Sequence, residues 1–204
     1  MPESEPTVFI LDDDEPVREG FAELVRTIRL KAETFATAHE FLESYDASRP
    51  GCLLLDVRLP GMSGLRLQDE LLARHSILPI IFISGHADLP MAVEAMKKGA
   101  YDFLEKPVGD QTLLDRINAA LTEDQRRRKA QAEVQTLQEK LALLTAREHE
   151  VLDLLTAGQS TTAIAEMLNI SQKTAQVHRA RILEKLQVES VPVLLTVLHR
   201  FNLM

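Results

Sequence analysis

Four short apolar runs, at 8–11, 52–55, 80–83 and, less purely, 101–104, are each four residues long and bounded by charged, Gly or Pro residues. Runs this short, with no polar residue in alternation, read as strands buried on both faces, which implies a parallel sheet covered by helices. The stretches between them carry helical spacing: Val17, Phe21, Leu24, Val25 and Ile28; then Phe41 and Leu42; then Leu65, Leu67, Leu71 and Leu72; then Met91, Ala92, Ala95 and Met96. This alternation predicts βαβ units with right-handed crossovers. A fifth strand, second in order, is expected near 32–35, where the apolar signal is weak. The expected fold of residues 1–121 is therefore α/β, a doubly wound five-stranded parallel sheet.

The residues that follow the runs carry the chemistry. The first run leads into Asp12, Asp13 and Asp14, the second into Asp56, the third into Ser84, and the fourth into Lys106 by way of Glu105. In a parallel sheet these groups emerge at one edge, the carboxyl ends of the strands, where such sheets bind ligands. Carboxylates converging there repel one another unless a hard divalent cation is bound, and Mg²⁺ takes one or two carboxylates while keeping several waters. A metal-braced aspartate can act as a nucleophile toward phosphorus. The Ser84 hydroxyl can donate to a phosphoryl oxygen, and Lys106 can pair with one. Singly, each residue has a plainer use as cap, turn or surface charge; their convergence carries the inference. Cys52, the single cysteine, cannot build a disulfide or a Cys-based metal site and reads as a small buried hydrophobe.

After Leu121 a polar octet without Gly or Pro lets a helix continue through solvent, and apolar spacing resumes at Ala130, Val134, Leu137, Leu141 and Leu144. That suits a helical linker over 122–139, either a short coiled coil or a solvated helix lying against its own domains. From Thr145 onward there is no strand signal, and helix starts recur: Thr145 with Glu148 as a capping box, Ser160 or Thr161, Ser171, and Ser190 with Pro192 just inside. Residues 140–204 are expected to form a small all-α four-helix domain. In its third helix Ala175, Ile182 and Leu186 share the core side, so Lys173, Val177, Ala180 and Glu184 face away, with Thr174, Gln176 and Arg181 on the flanks. Apolar groups, Gln and cations on one face suit the major groove of DNA, and the turn Asn169-Ile170-Ser171 is as short as a helix-turn-helix needs. The net charge of -8 does not oppose this, because residues 172–186 hold Lys173, Arg179, Arg181 and Lys185 against Glu184 alone. Local charge is what a phosphate backbone senses within a Debye length of roughly 10 Å.

The sequence Asp12-Asp13-Asp14, then Asp56-Val57-Arg58-Leu59-Pro60-Gly61-Met62-Ser63-Gly64, then Ser84-Gly85, then Phe103-Leu104-Glu105-Lys106-Pro107 resembles the flavodoxin-like receiver domain of bacterial two-component systems over 7–121. The resemblance implies Asp56 as phosphoacceptor and Asp12, Asp13, Asp56 and the main-chain carbonyl of Arg58 as the Mg²⁺ site, with Asp13 the direct acidic ligand. It also implies Ser84 and Phe103 as a switch pair, Lys106 as the bridge to the phosphoryl group, and a cis bond before Pro107. Arg58 and His86 occupy positions whose side chains influence phosphate lifetime in the family, and Phe103 stands where some relatives have tyrosine. Residues 140–204, with Thr145, Glu148, Val151, Gly158, Ile164-Ala165, Ile170-Ser171, Thr174, Val177-His178 and Lys185-Leu186, look like the LuxR or NarL type of DNA-binding domain. Thr161-Thr162-Ala163 and Thr174-Ala175-Gln176 replace segments in which relatives carry two lysines, which implies fewer phosphate contacts.

The whole chain thus resembles response regulators of the FixJ subfamily, similar to the regulators of styrene and toluene degradation. The expected DNA contacts are Lys173, Thr174, Gln176, Val177, Arg179, Arg181 and Lys185. The expected partners are a sensor histidine kinase, double-stranded DNA, RNA polymerase and a second copy of the chain, paired through the receiver or the connector upon phosphorylation. No insertion in 1–121 supplies the cap and general acid of a turnover phosphatase, so phosphoryl uptake and loss at Asp56 is the only catalysis expected. The complete set Asp13, Asp56, Ser84 and Lys106 speaks against a phosphate-independent regulator. No run approaches the roughly 18 apolar residues of a membrane span and the first residues are acidic, so a cytoplasmic location is expected, without contact with a membrane.

Overall fold

A computed structural model describes residues 5–85 and 89–201; His86 lies outside them. The chain divides into two units that meet between Lys129 and Ala130.

In the first unit, β1 (Thr7–Leu11), β2 (Lys31–Phe35), β3 (Gly51–Asp56), β4 (Ile80–Ser84) and β5 (Asp102–Glu105) form one parallel sheet in the order β2-β1-β3-β4-β5. Helices α1 (Glu15–Thr27), α2 (Ala38–Ser44), α3 (Gly64–Ala73) and α4 (Leu89–Lys97), with the first part of α5 (Asp110–Ala142), make the crossovers and cover its faces. Alternate strand residues point to opposite faces, so the sheet builds two cores. Val8, Ile10, Cys52, Leu54, Ile81 and Ile83 pack with α1 and α5, where Ala22, Val25, Leu113 and Ile117 are buried. Phe9, Leu11, Leu53, Leu55 and Phe82 pack with α2, α3 and α4. Cys52 is fully buried, which pushes its thiol pKa far up and leaves it inert. The weak signal at β2 reflects its place on the sheet edge, where only Phe35 is buried. Leu72 and Met96, counted in the apolar pattern, are exposed; the helices turn their buried faces through Leu67 and Leu71, and through Ala95, instead.

The polar octet behaves differently from a solvated connector. It is helical within α5, and residues 122–129 dock on the amino-terminal rim of the sheet. Asp124 is buried and accepts from the Gly51 N–H at 2.9 Å and from Arg128 Nε at 2.8 Å. The other Arg128 nitrogens donate to the carbonyls of Ala47, Ser48 and Arg49 at 2.9, 3.1 and 2.6 Å. Arg127 donates to Glu123 at 2.7 Å and to the Ile77 carbonyl at 3.2 Å. Nearby, Arg49 forks onto Glu33 at 2.5 and 2.9 Å and lies over the Phe9 ring.

The second unit contains the end of α5 followed by α6 (Ala146–Thr156), α7 (Thr161–Met167), α8 (Gln172–Leu186) and α9 (Val191–Arg200). The helix starts follow the caps expected: Thr145 and Glu148 form a reciprocal capping box, Ser160 accepts from the Ala163 N–H, and Ser171 accepts from the Thr174 N–H. Ser190 stands at the start of α9 without a side-chain cap, with Pro192 in the first turn. Leu137 and Leu144 join Val151, Leu155, Ile164, Ala175, Ile182, Leu186, Leu194 and Leu198 in one core, which accounts for the apolar spacing after 130.

Candidate functional site

The strand ends assemble one rim. Asp12 leaves β1 buried, with its carboxylate accepting from the Asp14 N–H at 3.0 Å and its carbonyl accepting from Arg18 of α1 at 2.7 Å. Asp56 closes β3 beside it, because β1 and β3 are paired neighbours. Carboxylate oxygens of Asp12, Asp13 and Asp56 lie within 4.8 Å of one another, a cluster able to hold a metal ion. Lys106 reaches the buried Asp12 and the half-buried Asp56, with Nζ 2.5 Å from Asp12 Oδ2 and 3.6 Å from Asp56 Oδ2. An all-oxygen donor set suits a hard divalent cation, and the single lysine leaves the three carboxylates under-neutralised.

The charge state of Asp56 reflects this. Burial raises its pKa above the usual carboxylate range, the Asp12 carboxylate adds to the rise, and Lys106 with the N–H groups of Arg58 and Val57 opposes it. The Arg58 N–H donates to Asp56 Oδ1 at 3.4 Å, so the backbone after Asp56 folds back over it while the Arg58 side chain is exposed. Gly61 takes a positive φ of 80° in this loop. At Gly64 a Cβ would stand 2.3 Å from the Asp56 carbonyl oxygen, so only glycine lets α3 start against the Asp56 backbone. A bond from Gly64 N–H to the Val57 carbonyl, at 2.9 Å, closes the loop.

Ser84 ends β4 in a buried position, and its carbonyl accepts from the Lys106 N–H at 2.9 Å, tying the hydroxyl-bearing and lysine-bearing strand ends together. The Lys106–Pro107 bond is cis. Phe103 is half-buried and stacks on Phe82, with ring centroids 5.9 Å apart. The structure thus brings Asp12, Asp13, Asp56, Arg58, Ser84 and Lys106 to one edge, with Phe103 on β5 behind them. Arg18 is a residue the sequence reading missed; a lone cation in the first helix carries no distinguishing pattern.

In the helical unit, α7 ends in a left-handed residue, Asn169 with φ 52°, and the Ile170 N–H returns to the Ala165 carbonyl at 2.9 Å. Arg147 of α6 donates to the Leu168 carbonyl at 2.6 Å and fixes this turn. Helix α8 follows at once and presents Lys173, Thr174, Gln176, Val177, Ala180 and Arg181 to solvent, while Ala175, Ile182 and Leu186 are buried. Val177, at 42% exposure, is a sizeable apolar group left open on a polar face. Arg179 is half-buried. Lys185, expected among the DNA contacts, turns inward: Nζ donates to the buried Glu148 at 2.7 Å and to the Leu143 carbonyl at 3.0 Å. Lys185 and the capping-box bonds hold the Glu148 pKa down to about 2. This lysine secures α8, a role hidden from the sequence because its partner lies 37 residues away.

Comparison with known proteins recovers both units. The response regulator receiver domain family matches residues 8–118, and the luxR family of bacterial regulatory proteins matches residues 142–198. The chain is 45% identical to the transcriptional regulatory protein TdiR of Thauera aromatica over 90% of this chain and 81% of that protein. It is 42% identical to the response regulator protein TodT of Pseudomonas putida over 99% of this chain and 89% of that protein. The solved structure of response regulator StyR superposes with a TM-score of 0.84 at 43% identity, covering 97% of this chain and all of StyR. An acidic rim on a five-stranded sheet and a four-helix unit of the luxR type therefore occur here in a known combination: the chain belongs to the FixJ-type response regulators, transcriptional regulators of two-component systems.

Proposed function

We propose that phosphorylation of Asp56 switches this regulator. A sensor histidine kinase presents a phosphohistidine, an Asp56 carboxylate oxygen attacks phosphorus, and the P–N bond breaks with its electron pair left on the imidazole, which gives an acyl phosphate. Asp12, Asp13, Asp56 and the main-chain carbonyl of Arg58 would hold Mg²⁺, which would supply charge neutralisation for the phosphoryl oxygens. Lys106 shifts its pairing from Asp12 toward a phosphoryl oxygen, the Ser84 hydroxyl donates to another, and Phe103 follows Ser84 inward. The chain returns to its starting state when water hydrolyses the acyl phosphate, so Asp56 takes up and loses phosphate without turning over a separate substrate.

The output is binding to double-stranded DNA. Gln176 and Val177 face base edges, Lys173, Thr174 and Arg181 face phosphates, and Arg179 contributes from the side of the helix. Phosphorylation promotes a homodimer that engages two half-sites and recruits RNA polymerase, in the cytoplasm, where kinase and promoter are both accessible. The functional receiver extends to residue 129, since the docked octet completes its lower rim.

The observation that carries this reading is Lys106 bridging the buried Asp12 at 2.5 Å and the half-buried Asp56 at 3.6 Å, next to a third carboxylate. Incubation with acetyl phosphate and Mg²⁺ should give an acid-stable, base-labile phosphoryl adduct that Asp56→Asn lacks, together with a rise in dimer fraction and DNA affinity. A wild-type protein that takes up no phosphoryl group, or takes it up without either change, would sink the switch.

A further inference from the structure

Helix α3 starts under constraint, with Gly64 pressed against the backbone of Asp56. One turn later, on the same buried face as Gly64, Leu67 and Leu71, stands a polar residue, Gln68, only 1% exposed. Its carboxamide Nε2 donates to the main-chain carbonyl of Ala95 in α4 at 3.0 Å. Ala95 is the one residue that α4 buries, whereas Leu89, Val93 and Met96 of that helix are 77, 42 and 44% exposed. The same Ala95 carbonyl also accepts from the Ala100 N–H at 3.0 Å, which closes the carboxyl end of α4. Gln68 therefore grips α4 at its single buried point. The other half of the carboxamide, Oε1, is buried with no hydrogen-bond partner among the described residues. Swapping the two ends of the amide would bring oxygen against the Ala95 carbonyl, so the orientation is fixed by its neighbours.

A buried acceptor without a donor opposes the arrangement that contains it. We infer that Gln68 is a positioning residue that couples the phosphoacceptor to helix α4: it suspends α4 from a helix pressed on the Asp56 backbone, through a hold one hydrogen bond short of complete. A change at Asp56 that shifts the start of α3 loosens this hold and lets α4 reseat, carrying the apolar face of Leu89, Val93 and Met96 with it. This inference rests on the reading of Asp56 as phosphoacceptor. A glutamine kept only for packing predicts the opposite behaviour: leucine in its place would leave the response of α4 intact.

The test is hydrogen exchange of the amides of residues 93–100 in the full-length protein, with and without acetyl phosphate and Mg²⁺, with intact mass reporting occupancy of Asp56. In the wild type, phosphorylation should alter exchange of this segment by about fivefold or more. Gln68→Leu removes the stranded oxygen, so it should melt no lower than wild type and reach the same occupancy, yet its exchange response should fall below about twofold. Gln68→Met should do the same and covers the case in which the branched side chain disturbs folding. Full wild-type response in both variants overturns the inference, as does unchanged exchange of 93–100 in a fully phosphorylated wild type. Failure of the wild type to take up phosphate would overturn the reading of Asp56 and the coupling with it.

Discussion

The two edges of the receiver sheet use the same residue types to opposite ends. At the carboxyl edge, Asp12, Asp13 and Asp56 share one lysine, and the Asp56 pKa is raised. At the amino edge, Asp124 meets Arg128 and a backbone N–H, Glu33 meets Arg49 and Lys31, and the Glu33 pKa is lowered. One rim is left short of positive charge and so could hold a cation. The other is matched and so has structural value only. A carboxylate at a strand end becomes a site when its surroundings fail to neutralise it.

Breaking the matched rim should have the largest effect. Asp124→Ala strips Arg128 of its carboxylate and the Gly51 N–H of its acceptor, and should cost about 3 kcal/mol in urea denaturation. The helical unit offers the same contrast between Lys185, paired inside, and Arg181, exposed on the outer side of α8. Lys185→Ala should destabilise that unit by about 2 kcal/mol. Because Glu148 is held to about 2 in the fold, its contribution is present above the ordinary carboxylate range and is lost as pH falls from near 4.5 toward 2; Glu148→Gln should flatten that acid limb. At the unmatched rim, Mg²⁺ at tenfold over its Kd should raise stability by about 1.4 kcal/mol, read as a shift in Tm, and Asp13→Asn should abolish the shift. Arg181→Ala should leave Tm unchanged and weaken DNA binding by about 1 kcal/mol on any sequence, with a shallower salt slope. Smallest of all, Asp56→Asn without divalent cation should stabilise by up to about 1 kcal/mol. The raised Asp56 pKa means that the wild type loses stability as pH rises through it, so the advantage of Asp56→Asn should grow with pH and vanish in acid. A stabilising effect that instead grew toward acid would remove the charge contrast between the rims.

The unmatched rim was legible in the sequence because its members follow directly on buried apolar runs: a strand of four apolar residues ending in Asp56, Ser84 or, one residue further, Lys106 places the polar group at an edge by counting alone. The matched rim was not legible. Residues 122–129 show no apolar period, and what holds them is backbone: Gly51 lies 73 positions from Asp124, and Ala47 81 positions from Arg128. Main-chain partners leave no trace in side-chain pattern. Lys185 misled for a related reason, since a cation on a recognition helix has the same composition signal whether it meets phosphate or a buried glutamate. Gln68 carries no signal of its own in the sequence, because spacing cannot say that a neighbouring helix covers it.

The docked octet also bears on how portable each half of this protein is. Genes of this kind are readily imagined as interchangeable modules, with a seam at the end of the last receiver element near residue 121. A chimera cut there would abandon Asp124 and Arg128 and leave four backbone groups at the base of the donor sheet bare. A seam after Lys129 keeps the anchor with the sheet it closes, so a graft of this DNA-binding half onto a foreign receiver should begin at Ala130 and inherit the other receiver's own anchor.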